Sequence, residues 1–294
     1  MIQDLLDLAL GADRMLTYAG YVLLAGTLTF WCVVWPDGRR NRRLVLLVVA
    51  GAAAMMLGTV GGPIIQLALE GRLLGDIVTP LGGAAQFTRF AALMAVMFFL
   101  PDIVSSEVVG WRRIVAMTVV LVIAASMVAQ SDAIGGPWEP AKIAVTVLHL
   151  LATCAWLGGL VALATVLIPG EQVEEIDQLI PRFSRVAQLS VVTLLVTGTV
   201  HALTVAGGVT QLATSRYGLV LLIKVSIFGL MLLMGNEGRK YAARAAFRQL
   251  HQPPDGTVRT SSISALAVVM GAELCIAFVI LSTTSLLVMV APHP

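Results

Sequence analysis

Two histidines lie in apolar stretches where an imidazole would be hard to hydrate: His149 in VLHLLATCAWLGGLVAL and His201 in VTGTVHALTV. An ionisable side chain is costly in such surroundings and by default suggests function there. Neutral imidazole is a common ligand for transition metals and for haem iron. The two histidines could therefore share a metal or a cofactor. Alternatively, each could hydrogen-bond a carbonyl or a threonine and stabilise packing.

The composition predicts that these residues are positioned by membrane-spanning helices. Of the 294 residues, 58% are hydrophobic and 12% are charged, and the mean hydropathy is +0.90. A soluble domain is about a quarter charged, and this chain cannot bury so much apolar surface in one water-soluble core. Backbone groups in lipid must be satisfied within each segment, so the predicted fold is an all-α, polytopic membrane helical bundle.

Eight stretches approach the roughly 20 apolar residues that a spanning helix needs. They are residues 13–35, 44–67, 83–101, 114–130, 143–168, 186–206, 218–235 and 263–290. Two further segments, residues 1–15 and 169–185, have the apolar spacing of helices that lie on the membrane surface.

The arginines and lysines predict the orientation. Of 19 in total, 13 fall in the loops that follow odd-numbered spans and 4 on the opposite side. By the positive-inside rule, the arginine-rich loops are cytoplasmic and both termini lie outside. The lipid bilayer is the partner that this composition requires, and no nucleic-acid partner is predicted.

In this topology the two histidines lie at one depth on consecutive, antiparallel helices. His149 is about six residues inside the outer end of the fifth span and His201 about five inside that of the sixth, which is roughly 8–9 Å below the boundary. Met127 lies near the outer end of the fourth span. Imidazole and thioether together suit copper, and Cu(I) above all. The sequence therefore predicts a metal site formed by His149, His201 and Met127.

Four other residues are candidates for transport or gating. Arg89 and Lys224 lie in the outer halves of their spans and are expected to snorkel outward. Glu273, slightly to the cytoplasmic side of the centre of the eighth span, is expected to pair with Lys224, to meet a hydrated path, or to be protonated. A structural ion pair and a role in moving cations or protons are both open. Trp156 would form the floor of a cavity beneath His149.

The two halves of the chain resemble each other weakly, which predicts a parallel 4+4 internal repeat. The matched residues are Gly58-Thr59-Val60 with Gly198-Thr199-Val200, and Thr79, Gly83 and Arg89 with Thr214, Gly218 and Lys224. All four histidines lie in the second half. Residues 1–142 are therefore interpreted as scaffold, and residues 143–294 as the repeat that carries the site, within one integral membrane domain.

Several of these residues together resemble the copper resistance protein D family. They are His149 with Trp156-Leu157-Gly158-Gly159, Arg182-Phe183-Ser184-Arg185, Thr197-Gly198, Tyr217-Gly218 with Lys224, and Glu273. The resemblance covers about residues 143–290. It implies an inner-membrane protein that moves copper from periplasm to cytoplasm, in copper uptake or tolerance, often with a periplasmic copper-binding protein. By matching position it implies that His149 is the leading functional residue, accompanied by Trp156, Lys224 and Glu273.

Three functions are compatible with these observations. The first is copper transport or delivery, without catalysis. The second is a membrane redox protein in which His149 and His201 ligate a b-type haem, because paired histidines at one depth in a helical bundle suit haem as well as copper. The third is an assembly factor for a copper oxidase. No nucleotide-binding motif occurs, so ATP-driven transport by this chain alone is not predicted.

Overall fold

The computed structural model describes residues 2–70, 80–105, 110–130, 139–167, 173–206 and 218–233, together with the single positions 210, 214, 215, 271 and 279. Within these ranges the chain is helical, with no strand. The helices are α1 (Ile2–Thr29), α2 (Arg42–Glu70), α3 (Pro80–Ser105), α4 (Gly110–Val128), α5 (Glu139–Thr153), α6 (Gly159–Leu167), α7 (Val173–Ala206) and α8 (Gly218–Leu233). The all-α prediction is confirmed for the described part of the chain.

Six helical stretches are long and apolar enough to cross a membrane. They are Leu8–Val34, Arg42–Leu69, Gly83–Ile103, Gly110–Val128, Glu139–Val166 and Gln178–Thr204. They coincide with the first six predicted spans, and the shorter apolar helix α8 coincides with the seventh. The predicted eighth span lies almost wholly outside the described residues. The chain is thus a multi-pass membrane protein, while the count of eight, the repeat and the sides of the termini stay predictions.

Two of the spans contain a wider, π-type turn. One, Phe30–Val34, ends α1 and is followed by the short 3-10 helix Pro36–Arg40. The other, Cys154–Gly158, joins α5 to α6, so that these two helices form a single span. Such turns inside helices are often found at functional sites. The second one lies directly beyond the turn of α5 that carries His149.

The two segments expected to lie on the membrane surface are instead the beginnings of long helices. α1 begins at Ile2 and continues into the first span without a break, and α7 begins at Val173 and continues into the sixth. Pro181 lies inside α7, where it removes one backbone hydrogen bond without ending the helix. The charged segments that precede the first and sixth spans are therefore part of the same helices as the spans, and they do not form separate surface helices.

Helix α1 is the central element of the described bundle. It packs against α2 and against the π turn that follows α5, and its residues Tyr21, Leu24 and Leu28 are each at most 1% exposed. Glycines permit these contacts: a Cβ on Gly20 would lie 2.8 Å from the carbonyl oxygen of Gly51, and a Cβ on Gly26 would lie 2.5 Å from that of Cys154. Small residues let membrane helices approach closely in this way.

Gly158 and Gly159 also permit a close approach between helices. A Cβ on Gly158 would lie 2.6 Å from Cα of Gly26 in α1, and a Cβ on Gly159 would lie 2.7 Å from the ring of Phe183 in α7. At Gly158 the nearest atoms belong to the backbone of α1, so a side chain there would push the helices apart, whereas at Gly159 the ring of Phe183 would have to move. The α5–α6 span is thereby held between α1 and α7, which sets its rotation.

Candidate metal site

His149 lies on the side of α5 that faces α7. Its Nδ1 is 2.9 Å from Oγ1 of Thr197, and a Cβ on Gly198 would lie 3.6 Å from its Cε1. The imidazole therefore lies against the Thr197-Gly198 turn of α7. His149 is half-buried, and Thr197 is buried.

The hydrogen bonds of Thr197 determine the tautomer of a neutral His149. A hydroxyl has one proton to donate, and Thr197 donates its proton to the carbonyl oxygen of Thr193 at 2.6 Å. Thr197 Oγ1 is then an acceptor towards His149, so Nδ1 carries the imidazole proton. The lone pair of the ring is left on Nε2, and an imidazole oriented in this way through its other nitrogen is the usual arrangement of a metal-binding histidine.

His201 and Lys224 lie close to His149, on two further helices. His201 follows Thr197 by about one turn of α7, and Lys224 lies in α8. Both interact electrostatically with His149, and Lys224 interacts with His201 as well. All three side chains are half-buried. The structure thus brings together three of the residues that the sequence singled out, although a ligand shared by the two imidazoles stays a prediction.

An aromatic layer lies beyond the histidines, towards the other end of the bundle. Trp156 is buried in the π turn, and its ring packs edge-to-face on Phe228 with the ring centres 5.2 Å apart. Phe228 follows Lys224 by one turn of α8, as Trp156 follows His149 by two turns. The α5–α6 span and α8 are thus related at two levels, by the Trp156–Phe228 contact and by the electrostatic interaction of His149 with Lys224. Phe228 was missed by the sequence analysis, although its i+4 spacing from Lys224 places it on the same face of the helix.

The Arg182-Phe183 motif has a structural place in this arrangement. Phe183 packs against Gly159, as described above, and Nη1 of Arg182 donates to the carbonyl oxygen of Val34 at 3.5 Å. Carbonyls at the end of a helix lack partners within it, and basic side chains commonly bind them. The motif thus holds the first part of α7 against the π turn Phe30–Val34 and against α6.

Other predicted site residues lie elsewhere or outside the described ranges. Met127 is buried in the apolar core of the bundle, on α4, which is the environment of ordinary packing. Glu273 lies outside the described residues. Among the residues that the structure describes, no group of three or more histidine, cysteine, aspartate or glutamate side chains could hold a metal. Of the predicted metal ligands, His149 and His201 are thus the two that lie near each other in the described part of the chain.

The prediction that Arg89 snorkels outward is wrong. Arg89 is only 6% exposed, because α4 supplies acceptors inside the bundle. Its Nε donates to Oγ of Ser126 at 3.2 Å, and its Nη2 donates to the carbonyl oxygen of Ser126 at 3.1 Å and to Oε1 of Gln130. Asp13 and Tyr18 of α1 also interact with it electrostatically. The first half of the chain therefore also has an inward-facing cation.

Comparison with known proteins agrees with the motif-based resemblance. Residues 177–287 match the family model of copper resistance protein D. The chain is also 28% identical over 136 residues to a protein named copper resistance protein D from Pseudomonas syringae pv. tomato, a match that covers 44% of this chain and 44% of that relative. No solved structure matches the chain. The family range contains Thr197, His201 and Lys224 but begins after His149.

Proposed function

Since residues 177–287 form a copper resistance protein D domain, we propose that this multi-pass protein transports or delivers copper at the bacterial inner membrane, from the periplasm to the cytoplasm. Membership of this family indicates a role in copper resistance or uptake. The proposed site is centred on Nε2 of His149, with His201 as its second ligand. Copper is the cargo in this proposal, and no catalysis is involved.

The hydrogen-bond chain from His149 through Thr197 to Thr193 carries the proposal. It directs the ring proton to Nδ1 and leaves Nε2 as a nitrogen donor. His201 adds a second imidazole within electrostatic reach. Two nitrogen donors are fewer than the four ligands that structural zinc sites use, and calcium and magnesium take oxygen ligands. A soft, low-coordinate ion such as Cu(I) is the metal that fits this pair best.

The positive charge of Lys224 favours a site that releases its copper ion over a site that stores it. Its ammonium group interacts with both imidazoles, and a positive charge next to a bound cation weakens the binding of that cation. A transport or delivery protein must release its cargo, whereas a storage site must retain it. The aromatic layer of Trp156 and Phe228 lies beyond the pair and would restrict passage in the direction of the predicted cytoplasm.

The proposal is tested by copper accumulation in cells that produce His149→Ala at the same membrane level as the unaltered protein. We expect copper-dependent accumulation to be lost, because the variant lacks the proposed first ligand. His251→Ala is the matched control, since the sequence places that histidine in a loop, and it should leave accumulation unchanged. Unaltered copper accumulation in cells that produce His149→Ala would contradict the proposal.

A visible spectrum of the purified protein separates copper from haem at the same pair. A colourless sample that binds copper in proportion to protein supports the copper proposal. A Soret band that is lost in His149→Ala would replace it with a b-type haem protein, because two axial histidines give that spectrum. Stable copurification with a copper oxidase, without copper binding by this chain, would point to an assembly factor.

A further inference from the structure

A pocket far from the histidines lies where α1 and α3 end and α4 begins. It is lined by Leu28, Trp31, Ile103, Arg112, Arg113 and Ala116, among others, and is open on one side. The charge distribution predicts that this end of the bundle is cytoplasmic. The pocket is therefore predicted to lie at the level of the inner-leaflet headgroups.

Two hydrogen-bond donors of this pocket are buried without an acceptor. They are the indole Nε1 of Trp31 and the Nε of Arg112, for which the described part of the chain supplies no partner. Trp31 is only 2% exposed. Buried polar groups in proteins nearly always have a partner. Two such donors among the residues that line one pocket therefore point to an acceptor outside the described part of the chain.

The position of Arg112 indicates that this acceptor is anionic. Nη1 of Arg112 donates to the carbonyl oxygen of Asp102 at 3.0 Å, and the guanidinium carbon lies 5.4 Å from the ring centre of Trp111. The guanidinium is thus held from two sides while its Nε lacks a partner. Arg113 brings a second positive charge to the lining. Both arginines lie in the first turn of α4, where unpaired backbone N–H groups also favour an anion.

We propose that this pocket binds the phosphate of an anionic phospholipid of the inner leaflet. Arg112 and Trp31 would donate to the phosphate oxygens, and Leu28, Ile103 and Ala116 would contact the apolar part of the lipid. Basic pockets between membrane helices on the cytoplasmic side bind lipid headgroups in this way. The apolar lining favours a lipid over free phosphate. Trp111, which is 55% exposed, is placed as an interfacial aromatic residue.

Native mass spectrometry of the whole protein in detergent tests this site, with phosphatidylglycerol and the zwitterionic phosphatidylethanolamine as probes. We expect preferential binding of phosphatidylglycerol. Arg112→Gln should weaken that binding about tenfold, because it removes a charged hydrogen-bond donor. Trp31→Phe should weaken it several-fold, because it removes the indole N–H and keeps an aromatic ring. Arg42→Gln, which removes an exposed charge at the same end of the bundle, should leave it unchanged.

Three outcomes would overturn the inference. Equal binding of phosphatidylglycerol and phosphatidylethanolamine would show that the pocket does not select a negatively charged lipid. Equal weakening by Arg42→Gln and Arg112→Gln would show a general effect of surface charge. Complete displacement of phosphatidylglycerol by inorganic phosphate would assign the pocket to a free anion. If Arg112→Gln does not reach the membrane, Trp31→Phe carries the test, and unchanged binding of phosphatidylglycerol in that variant would also overturn it.

Discussion

Thr197 determines which nitrogen of His149 is available to a ligand. Its single proton is donated to the carbonyl of Thr193, so it accepts from Nδ1 of the imidazole. Outer hydrogen-bond partners of this kind usually change metal affinity by 10–100-fold when they are removed. A residue that never contacts the metal is therefore expected to influence binding nearly as strongly as a ligand.

We predict that Thr197→Val lowers copper affinity about 10–100-fold while the protein stays folded. Valine has nearly the shape of threonine but cannot accept from Nδ1, so the tautomer and the orientation of His149 are no longer fixed. Competition between the purified protein and a copper chelator of known affinity measures the effect. Thr199→Val is the matched control, because the hydroxyl of Thr199 bonds only within its own helix, to the carbonyl of Leu195 at 2.8 Å. An equal loss of affinity in both variants would contradict this role.

At the residue scale the sequence predicted the histidines better than their partners. Depth in the predicted spans indicated that His149 and His201 were neighbours, and their electrostatic interaction agrees with this. A hydrogen bond from an imidazole to a threonine was one of the alternatives open from the sequence, but the choice of Thr197 as the partner of His149 could not be predicted, because it depends on the rotation of α5. The burial of Arg89 was missed for a similar reason: Ser126 and Gln130 are acceptors on another helix.

Among the elements, the span formed by α5 and α6 is the one whose packing sets the site. Its π turn, Cys154–Gly158, contacts α1 through Gly158 and Gly26, and the following Gly159 contacts Phe183 of α7. Both contacts fix the span's rotation, which aims His149 at Thr197. The close helix contacts at Gly158 and Gly159 are therefore needed to orient His149 towards Thr197.

We predict that Gly158→Ala destabilises the protein by about 1–3 kcal/mol, because the new methyl group would overpack a full contact. The backbone of α1 would have to move, since the nearest atoms belong to Val22 and Gly26. Thermal unfolding in detergent measures the change. Gly229→Ala is the matched control: nothing lies within 4 Å of the added Cβ, so its stability should be equal or slightly higher. Equal melting temperatures for the unaltered protein and Gly158→Ala would show that the contact is looser than described.

The positions of the spans followed from hydropathy, but their internal shape did not. Apolar composition locates a helix in the membrane, and six described spans agree with it. It does not distinguish an α turn from the π turn at Cys154–Gly158, because both have the same apolar residues. Nor does it show that α1 is central: all the spans are apolar, and α1 differs by the glycines that bring it close to its neighbours.

At the scale of the whole molecule, helix α1 joins the two halves of the chain. It pairs with α2 in the first half and with the π turn of the second. Arg89 and Lys224, which align at a constant offset in the sequence, both point inward from their helices. The two cations differ in their neighbours, which are Asp13 for Arg89 and the histidines for Lys224. The parallel repeat stays a prediction that this shared orientation supports.

We predict that both termini lie on the periplasmic side, because the arginine-rich loops lie on the opposite side. Alkaline phosphatase, which folds only in the periplasm, should therefore be active when fused after Pro294. The same enzyme fused within the loop between α3 and α4 should be inactive, and it serves as the matched control. Activity in that loop, or inactivity at the C-terminus, would reverse the predicted orientation and place the histidine pair near the cytoplasm.

The contact between Gly26 and Gly158 also has a consequence for biosynthesis. The ribosome adds roughly 5–20 residues per second, and about 130 residues separate the two glycines. α1 therefore waits on the order of ten seconds in the membrane before the segment that encloses it has been made. During that time its buried side chains, including the hydroxyls of Tyr21 and Thr27, are covered only by lipid, by the insertion machinery or by the helices already made, α2 to α4. Helix α1 is synthesised early, but its packing is completed only after the π turn has been made. The rate of translation therefore sets the earliest time at which the proposed copper site can form.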